Sequence, residues 1–226
     1  MTNRLSIVIA GATGLIGKST VELALDNESV DHIYSLSRRP ITIEHSKLTQ
    51  WLSPDLSIPS GGDVPSSPII GVITLGTTLK KAGSKEKLRA IDVDLVVNVA
   101  KGMHKLGVKQ IIVVSCLGAS VNSRSHYLRC KGEMEAELQQ LKFEQVTFMH
   151  PGSLVGSREE IRKDEKVLQC VLNILSPLME GVLADFKPVK AHDVADAIVK
   201  LAVEENTNIN KRVEHIRTPQ ILNLCS

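Results

Sequence analysis

Tyr127 and Lys131 stand four residues apart in a stretch with helical patterning, so their side chains share one face. Ser115 lies twelve residues before Tyr127, at the end of an apolar run with strand character. Together these three residue types can move a proton at a carbonyl or alcohol oxygen. A free phenol has a pKa of about 10, and a nearby ammonium favours the phenolate. Tyr127 is then a general acid or base. Ser115 orients the reacting oxygen, and Lys131 tunes Tyr127. Tyr-x-x-x-Lys alone is common by chance, and a helix tyrosine is more often a half-buried packing residue. Here the chain has only two tyrosines, and one falls in this setting. Cys116 and Cys130 flank the same groups but have no obvious neighbouring base, so nothing favours a thiol mechanism.

A second group of residues supplies the partner that such chemistry needs. Gly11-Ala12-Thr13-Gly14-Leu15-Ile16-Gly17 follows the apolar run Leu5 to Ala10 and opens a segment of helical spacing. Glycines at a strand-to-helix turn let backbone approach a phosphate, and the helix N-terminus offers it free N–H groups. This arrangement suits a dinucleotide; the alternative is a turn required only for packing. An overlapping reading, Ala12 to Ser19 as a triphosphate loop, fails at its first position, because Gly11 is one residue early. No later apolar strand ends in the metal-binding Asp that reading requires, and Lys18 is expected to be a solvated helix residue. About 20 residues past the loop, proteins that prefer NAD usually carry an acid for the ribose hydroxyls. Ser37-Arg38-Arg39 occupies that place. Two guanidinium groups and a hydroxyl suit a 2′-phosphate, so the expected cofactor is NADP(H). An exposed basic turn is the alternative.

The elements that must position these groups alternate along the chain. Strands are expected at Leu5 to Ala10, His32 to Ser37, Lys47 to Leu52, Ile69 to Leu75, Ile111 to Val114, Gln145 to Met149 and Arg212 to Ile216. Lys85 to Leu106 has the spacing of one long helix, its apolar face carrying Leu88, Ile91, Leu95, Val96, Val99 and Met103. Further helices are expected over His126 to Leu141 and near 158–175 and 192–204. Residues 53–68, with four prolines and Gly61-Gly62, form a loop inside the domain. The pattern predicts an α/β fold with a doubly wound parallel sheet, a Rossmann fold, as a single domain over 1–226.

Composition excludes several classes. At 226 residues, with 42% hydrophobic and 23% charged residues, the chain is globular. A net charge of +2 and only six aromatic rings argue against a nucleic-acid partner. No apolar run approaches the roughly 18 residues of a membrane span. The N-terminus does not have the pattern of a signal peptide. Cys116, Cys130, Cys170 and Cys225 are scattered as reduced thiols would be, which points to a cytoplasmic protein. The seven histidines show no zinc-site spacing, so no metal is expected.

Six stretches together resemble the atypical branch of the short-chain dehydrogenase/reductase superfamily, and within it the Tat-interactive-protein-like group of NADPH-binding proteins. They are Gly11 to Gly17, Leu75-Gly76-Thr77-Thr78, Lys81-Ala82-Gly83, Val114 to Ala119, Tyr127 to Glu135 and His150-Pro151-Gly152-Ser153. The resemblance implies Thr13 to Ile16 on the pyrophosphate and Ser37 to Arg39 on the adenosine phosphate. It implies Leu75, Gly76 and Thr77 along the adenine ribose, Tyr127 and Lys131 at the nicotinamide ribose, and Pro151 beside the nicotinamide. Where the superfamily often carries a proton-relay Asn, this chain has Asp92, and Asn98 lies about two turns further on. The chain is short for a sugar-nucleotide epimerase, which implies a small-molecule substrate. The long helix and the Tyr127 helix are common pairing surfaces in the superfamily and would allow a homodimer. The implied activity is an NADP(H)-dependent oxidoreductase acting on a small carbonyl or alcohol; the alternative is an NADPH-sensing binding protein with little turnover.

Overall fold

A computed structural model describes residues 4–59, 69–155, 181–204 and 213–226. Seven strands form one sheet in the order β3-β2-β1-β4-β5-β6-β9, with every pairing parallel. They are β1 (Leu5–Ala10), β2 (Val30–Ser37), β3 (Leu48–Leu52), β4 (Ile69–Ile73), β5 (Gln110–Val114), β6 (Gln145–His150) and β9 (Val213–Arg217). Parallel strands need crossovers that cover both faces, and the burial follows: all six residues of β1 and all six of β6 are buried. Among the described residues, no helix is long and apolar enough to cross a membrane.

Two apolar layers sandwich the sheet. On one face α1 (Leu15–Asp26) packs against α6 (Ala191–Glu204), through Val21, Ala24, Val194 and Ile198. The other face is covered by α4 (Val96–Lys105) and α5 (His126–Gln139), through Val96, Met103, Met134 and Leu138 over Ile111 and Phe148. The two short helices α2 (Leu79–Ala82) and α3 (Lys85–Arg89) precede α4. Thr78 and Ser84 cap them, each side chain accepting a backbone N–H three residues on. A short parallel pair, β7 (Leu154–Val155) with β8 (Val189–Lys190), and α7 (Thr218–Cys225) complete the described elements.

The long helix expected from Lys85 is interrupted. A π turn at Ala90–Leu95 separates α3 from α4. The extra residue per turn changes which side chains face inward. Ile91 and Leu95, expected on the apolar face, are only half-buried, and Asp92 and Val93 are buried in their stead. Hydrophobic spacing could not foresee this, because the residue turned inward is a carboxylate. The helix expected near 158–175 lies outside the described residues, as do 60–68 of the expected loop and Arg212 at the start of the last expected strand.

Candidate functional site

The sheet order reverses between β1 and β4, and their C-terminal ends open a crevice. Gly11 turns the chain out of β1 at φ +103°, a region open to glycine. Gly14 is the N-cap of α1, with no side-chain cap bond and no acid in the first turn, so the end of the helix presents bare N–H groups. Gly17 has another purpose. A Cβ there would sit 2.2 Å from the Gly11 carbonyl oxygen and 2.6 Å from Thr74 Oγ1, so Gly17 lets α1 lie against the turn. Like Ala12, it lines neither cavity described below. Lys18 is exposed and lies 3.8 Å from Glu22, away from the crevice.

Two cavities meet over β4. One, of about 350 Å³, is lined by Gly11, Thr13, Ser37, Arg38, Arg39 and Leu75, among others. Arg38 and Arg39 are exposed. Ser37 is buried, and its hydroxyl donates to the Arg39 carbonyl at 2.7 Å, which fixes the shape of the basic turn. The second cavity, of about 490 Å³, is lined by Gly14, Leu15, Ile16, Leu75, Gly76, Thr77, Ser115, Tyr127, Lys131 and Pro151, with further residues around them. Leu75 belongs to both. The structure thus gathers every predicted site residue except Gly17 along one trough. A long, two-ended anionic ligand with one end at the arginines fits the uncapped helix end midway and the open glycine turn.

Tyr127 and Lys131 come from the first two turns of α5, whose N-cap Ser125 accepts the Leu128 N–H. Gly132 seats the helix, because a Cβ there would lie 2.3 Å from the Ser120 carbonyl carbon. The charge arrangement differs from the expected one. Burial pushes the Tyr127 phenol above its usual range, and Cys116 and Asp92 push it further. The Lys131 ammonium points instead toward Asp92, with Nζ 3.9 Å from Oδ2. Asp92 is fully buried; its Oδ1 accepts the Thr77 N–H at 2.8 Å. Burial raises its carboxyl pKa, while Lys131 and the Thr77 N–H pull it down. This carboxylate ties the loop that follows β4 to the lysine.

That geometry carries a prediction. Asp92→Asn keeps an acceptor for Thr77 but leaves the buried Lys131 ammonium without its counter-charge. The loss of a charged hydrogen-bonding partner should cost about 1.5–3 kcal/mol in urea unfolding. Wild-type stability in this variant would show that the pair is not coupled.

Sequence reasoning missed two groups. Ser115 donates a short hydrogen bond to Glu135 Oε1, and His150 Nε2 donates to the same oxygen at 2.8 Å. A signal for the first was present: Tyr127, Lys131 and Glu135 follow one another at intervals of four on the same helix face. His150 required knowledge of the pairing of β5 with β6. The thiols are quiet. Burial pushes Cys116 up to about 11 and raises Cys130 as well. His126 does lie beside Cys130, with Nε2 3.5 Å from Sγ, which corrects the expectation of no nearby base, but Cys130 lines neither cavity.

Pro151 and Gly152 close the second cavity and are tied from afar. The Gly152 N–H donates to Thr218 Oγ1 at 2.9 Å, and Thr218 donates to the Asp185 carbonyl at 2.9 Å. Arg217 reaches Asp185 at 3.0 Å.

A family model described as HIM1 matches residues 43–179. "Protein FMP52, mitochondrial" of Coccidioides immitis is 33% identical over 203 residues, covering 84% of this chain and 82% of that protein. The protein of the same name from Eremothecium gossypii is 36% identical over 167 residues, 70% of each. The chain belongs to the HIM1 family, alongside the FMP52 proteins.

Two expectations change with this placement. The likeness of this HIM1-family chain to FMP52 proteins does not support the finer assignment to the Tat-interactive-protein-like group. The cytoplasmic expectation is overturned by relatives named mitochondrial in many fungi. Unpaired thiols mark a reducing compartment and do not choose among such compartments. The fold expectation stands. UDP-glucuronic acid 4-epimerase from Bacillus cereus, solved with NAD, aligns at TM-score 0.64 and 14% identity, over 94% of this chain and 78% of its own. A putative NAD-dependent epimerase/dehydratase from Bacillus halodurans aligns at 0.60 and 17% identity, over 96% and 98%. The HIM1-family chain therefore has the Rossmann fold of nicotinamide-dinucleotide proteins.

Proposed function

We propose that the protein is an NADP(H)-dependent oxidoreductase of the short-chain dehydrogenase type, acting on a small carbonyl or alcohol. One observation carries this reading: Ser115, Tyr127 and Lys131 line one cavity with the uncapped N-terminus of α1, and that cavity continues through Leu75 to Arg38 and Arg39. When bound, the cofactor supplies or accepts the hydride. The chain does the rest. The first-turn N–H groups of α1 hold the pyrophosphate, and Arg38 and Arg39 hold the 2′-phosphate. Lys131 holds the ribose beside the reacting centre. Tyr127, kept neutral by burial, donates its proton to the oxygen of a carbonyl under reduction, and Ser115 orients that oxygen. The names of the relatives support a mitochondrial setting.

A second reading, a cofactor-responsive binding module, draws on one feature. In this state the Ser115 hydroxyl is committed to Glu135 and the Lys131 ammonium faces Asp92. A panel of small carbonyls assayed by NADPH consumption separates the two: turnover supports the enzyme, and tight NADPH binding with no turnover supports the module.

The cofactor preference has its own test. A charge-assisted contact contributes about 1.5–3 kcal/mol, so Arg38→Ala/Arg39→Ala should weaken NADPH roughly tenfold to a hundredfold and leave NADH nearly unchanged. Calorimetric titration reads both. An equal loss for the two cofactors would remove phosphate recognition from these arginines.

A further inference from the structure

The Ser115 hydroxyl does not end at the cavity wall. It donates to Glu135 Oε1, which also accepts from His150 Nε2 at 2.8 Å. Glu135 and His150 are buried, on α5 and at the end of β6. Beyond them lies His215 on β9, its ring centroid 4.9 Å from that of His150. The ligating atoms of Glu135, His150 and His215 all lie within 4.8 Å of one another. His215 is exposed. The strand pairing sets this up: Phe148 on β6 is the register partner of His215, and the His215 ring packs against both Phe148 and His150. The chain of polar groups therefore runs from the cavity, through the sheet's covered face, to water at the β9 edge.

The order of the groups excludes one familiar use. A hydrolytic triad places the imidazole against the serine, and the carboxylate behind it. Here the carboxylate touches the serine and the imidazole lies behind, so the array cannot draw a proton off Ser115 into a histidine directly.

We propose that Glu135, His150 and His215 form a proton path that connects the Ser115 hydroxyl to solvent, so that the proton Tyr127 gives to the reacting oxygen is replaced from water by way of the cavity they share. The inference rests on the oxidoreductase reading above. One proton moves at each link. His150 gives its Nε2 proton to Glu135, Glu135 protonates the Ser115 oxygen, and Ser115 releases its own hydroxyl proton into the cavity, where it replaces the one proton that Tyr127 has given to the substrate oxygen. His150 regains a proton from water by way of His215. No electron travels along the path; the two electrons of the reduction arrive with the hydride. With the proton on His150, Ser115 donates to Glu135, which is the arrangement observed. With the proton on Glu135, Ser115 is free to donate into the cavity. The other charged or titratable groups near the path are Lys131, one turn earlier on α5, the Cys116 thiol, and Arg217, which is held by Asp185. Burial and His150 lower the pKa of His215, which suits a group that takes up a proton and yields it again.

The test uses the full chain with 9,10-phenanthrenequinone as carbonyl probe. His215→Phe changes an exposed residue outside the cavity and leaves a ring against Phe148. NADPH affinity should be unchanged, kcat should fall roughly tenfold or more, the solvent deuterium isotope effect should rise, and added imidazole should restore the rate. Glu135→Gln, which keeps an acceptor for Ser115 but carries no proton, should lose at least as much and resist imidazole. In parallel, NMR follows exchange of the buried Ser115 hydroxyl proton with water, which should slow roughly tenfold or more in His215→Phe. Unchanged exchange overturns the path whatever the turnover. If the wild type does not reduce the probe, the oxidoreductase reading falls, and the proposed replacement of the Tyr127 proton falls with it, while the exchange rates still decide whether Ser115 is connected to water. A cobalt(II) titration that gives a ligand-field spectrum lost in His215→Phe would assign the three groups to a metal seat and overturn the proton path.

Discussion

In Tyr127→Phe, carbonyl reduction falls by about 10²–10⁴, the contribution of a positioned acid in the transition state. NADPH affinity stays close to wild type, because the ring remains and only the hydroxyl is removed. The size follows from the surroundings. Tyr127 is half-buried beside Asp92 and Cys116, and all three influences raise its pKa. A phenol held neutral there is charged with a proton throughout the physiological range and can give it to an oxyanion of higher basicity. The same environment makes the protein a poor base, so the reverse oxidation should gain as pH rises toward the phenol's elevated pKa. The raised value means that this gain begins above the ordinary tyrosine range. Progress curves in both directions, with cofactor titration on the same samples, provide the check. Undiminished reduction by the purified variant would take the acid role away from Tyr127.

The second large effect separates two glycines that look equivalent in sequence. A Cβ at Gly14 meets only the Gly11 carbonyl oxygen, at 3.2 Å, whereas one at Gly17 meets it at 2.2 Å. Gly14→Val therefore keeps the fold and places a branched side chain where the pyrophosphate must sit. Dinucleotide binding should be lost beyond detection, with a melting temperature near wild type. Gly17→Val forces α1 off the turn, and overpacking of this kind costs about 1–3 kcal/mol or more. It should lower stability before any ligand is added. Thermal unfolding with and without NADPH distinguishes the two. Tight NADPH binding by Gly14→Val would overturn the role given to the glycine turn.

The contrast shows what the sequence could and could not convey. Glycine spacing and the β-α alternation marked the crevice, because backbone geometry is local. Strand boundaries came within about two residues at β1, β3 and β5 for the same reason. The cavity lining also followed, since Ser115, Tyr127, Lys131 and Pro151 all sit at ends of elements on one edge of the sheet. The π turn escaped notice, because it buries a carboxylate where apolar periodicity asks for Ile91. The partners of Ser115 and Lys131 escaped for a different reason. Glu135 and His150 are ordinary polar residues until the strand register and the helix crossing bring them together, and Asp92, noted in sequence, gains its partners Thr77 and Lys131 only in the fold. Two expected charge relations differ in the structure: the Lys131 ammonium is directed at Asp92, and the Tyr127 phenol is pushed up by burial, Cys116 and Asp92 where the phenolate was expected to be favoured.

The bond from Gly152 to Thr218 joins residues 66 apart in the chain. This has a consequence for the order of events in synthesis. A nascent chain that has emerged through Gly152 already contains the glycine turn, the basic turn and the Ser115–Tyr127–Lys131 set. It lacks the anchor that holds Pro151 and Gly152, and it lacks the strand that covers the open side of β6. Domains fold as units while the N-terminal part waits, and contacts this distant in sequence form late. The wall of the trough at Pro151 and Gly152 is therefore fixed only after β9 and Thr218 have been made, so any ligand that needs this wall meets a finished site late in synthesis.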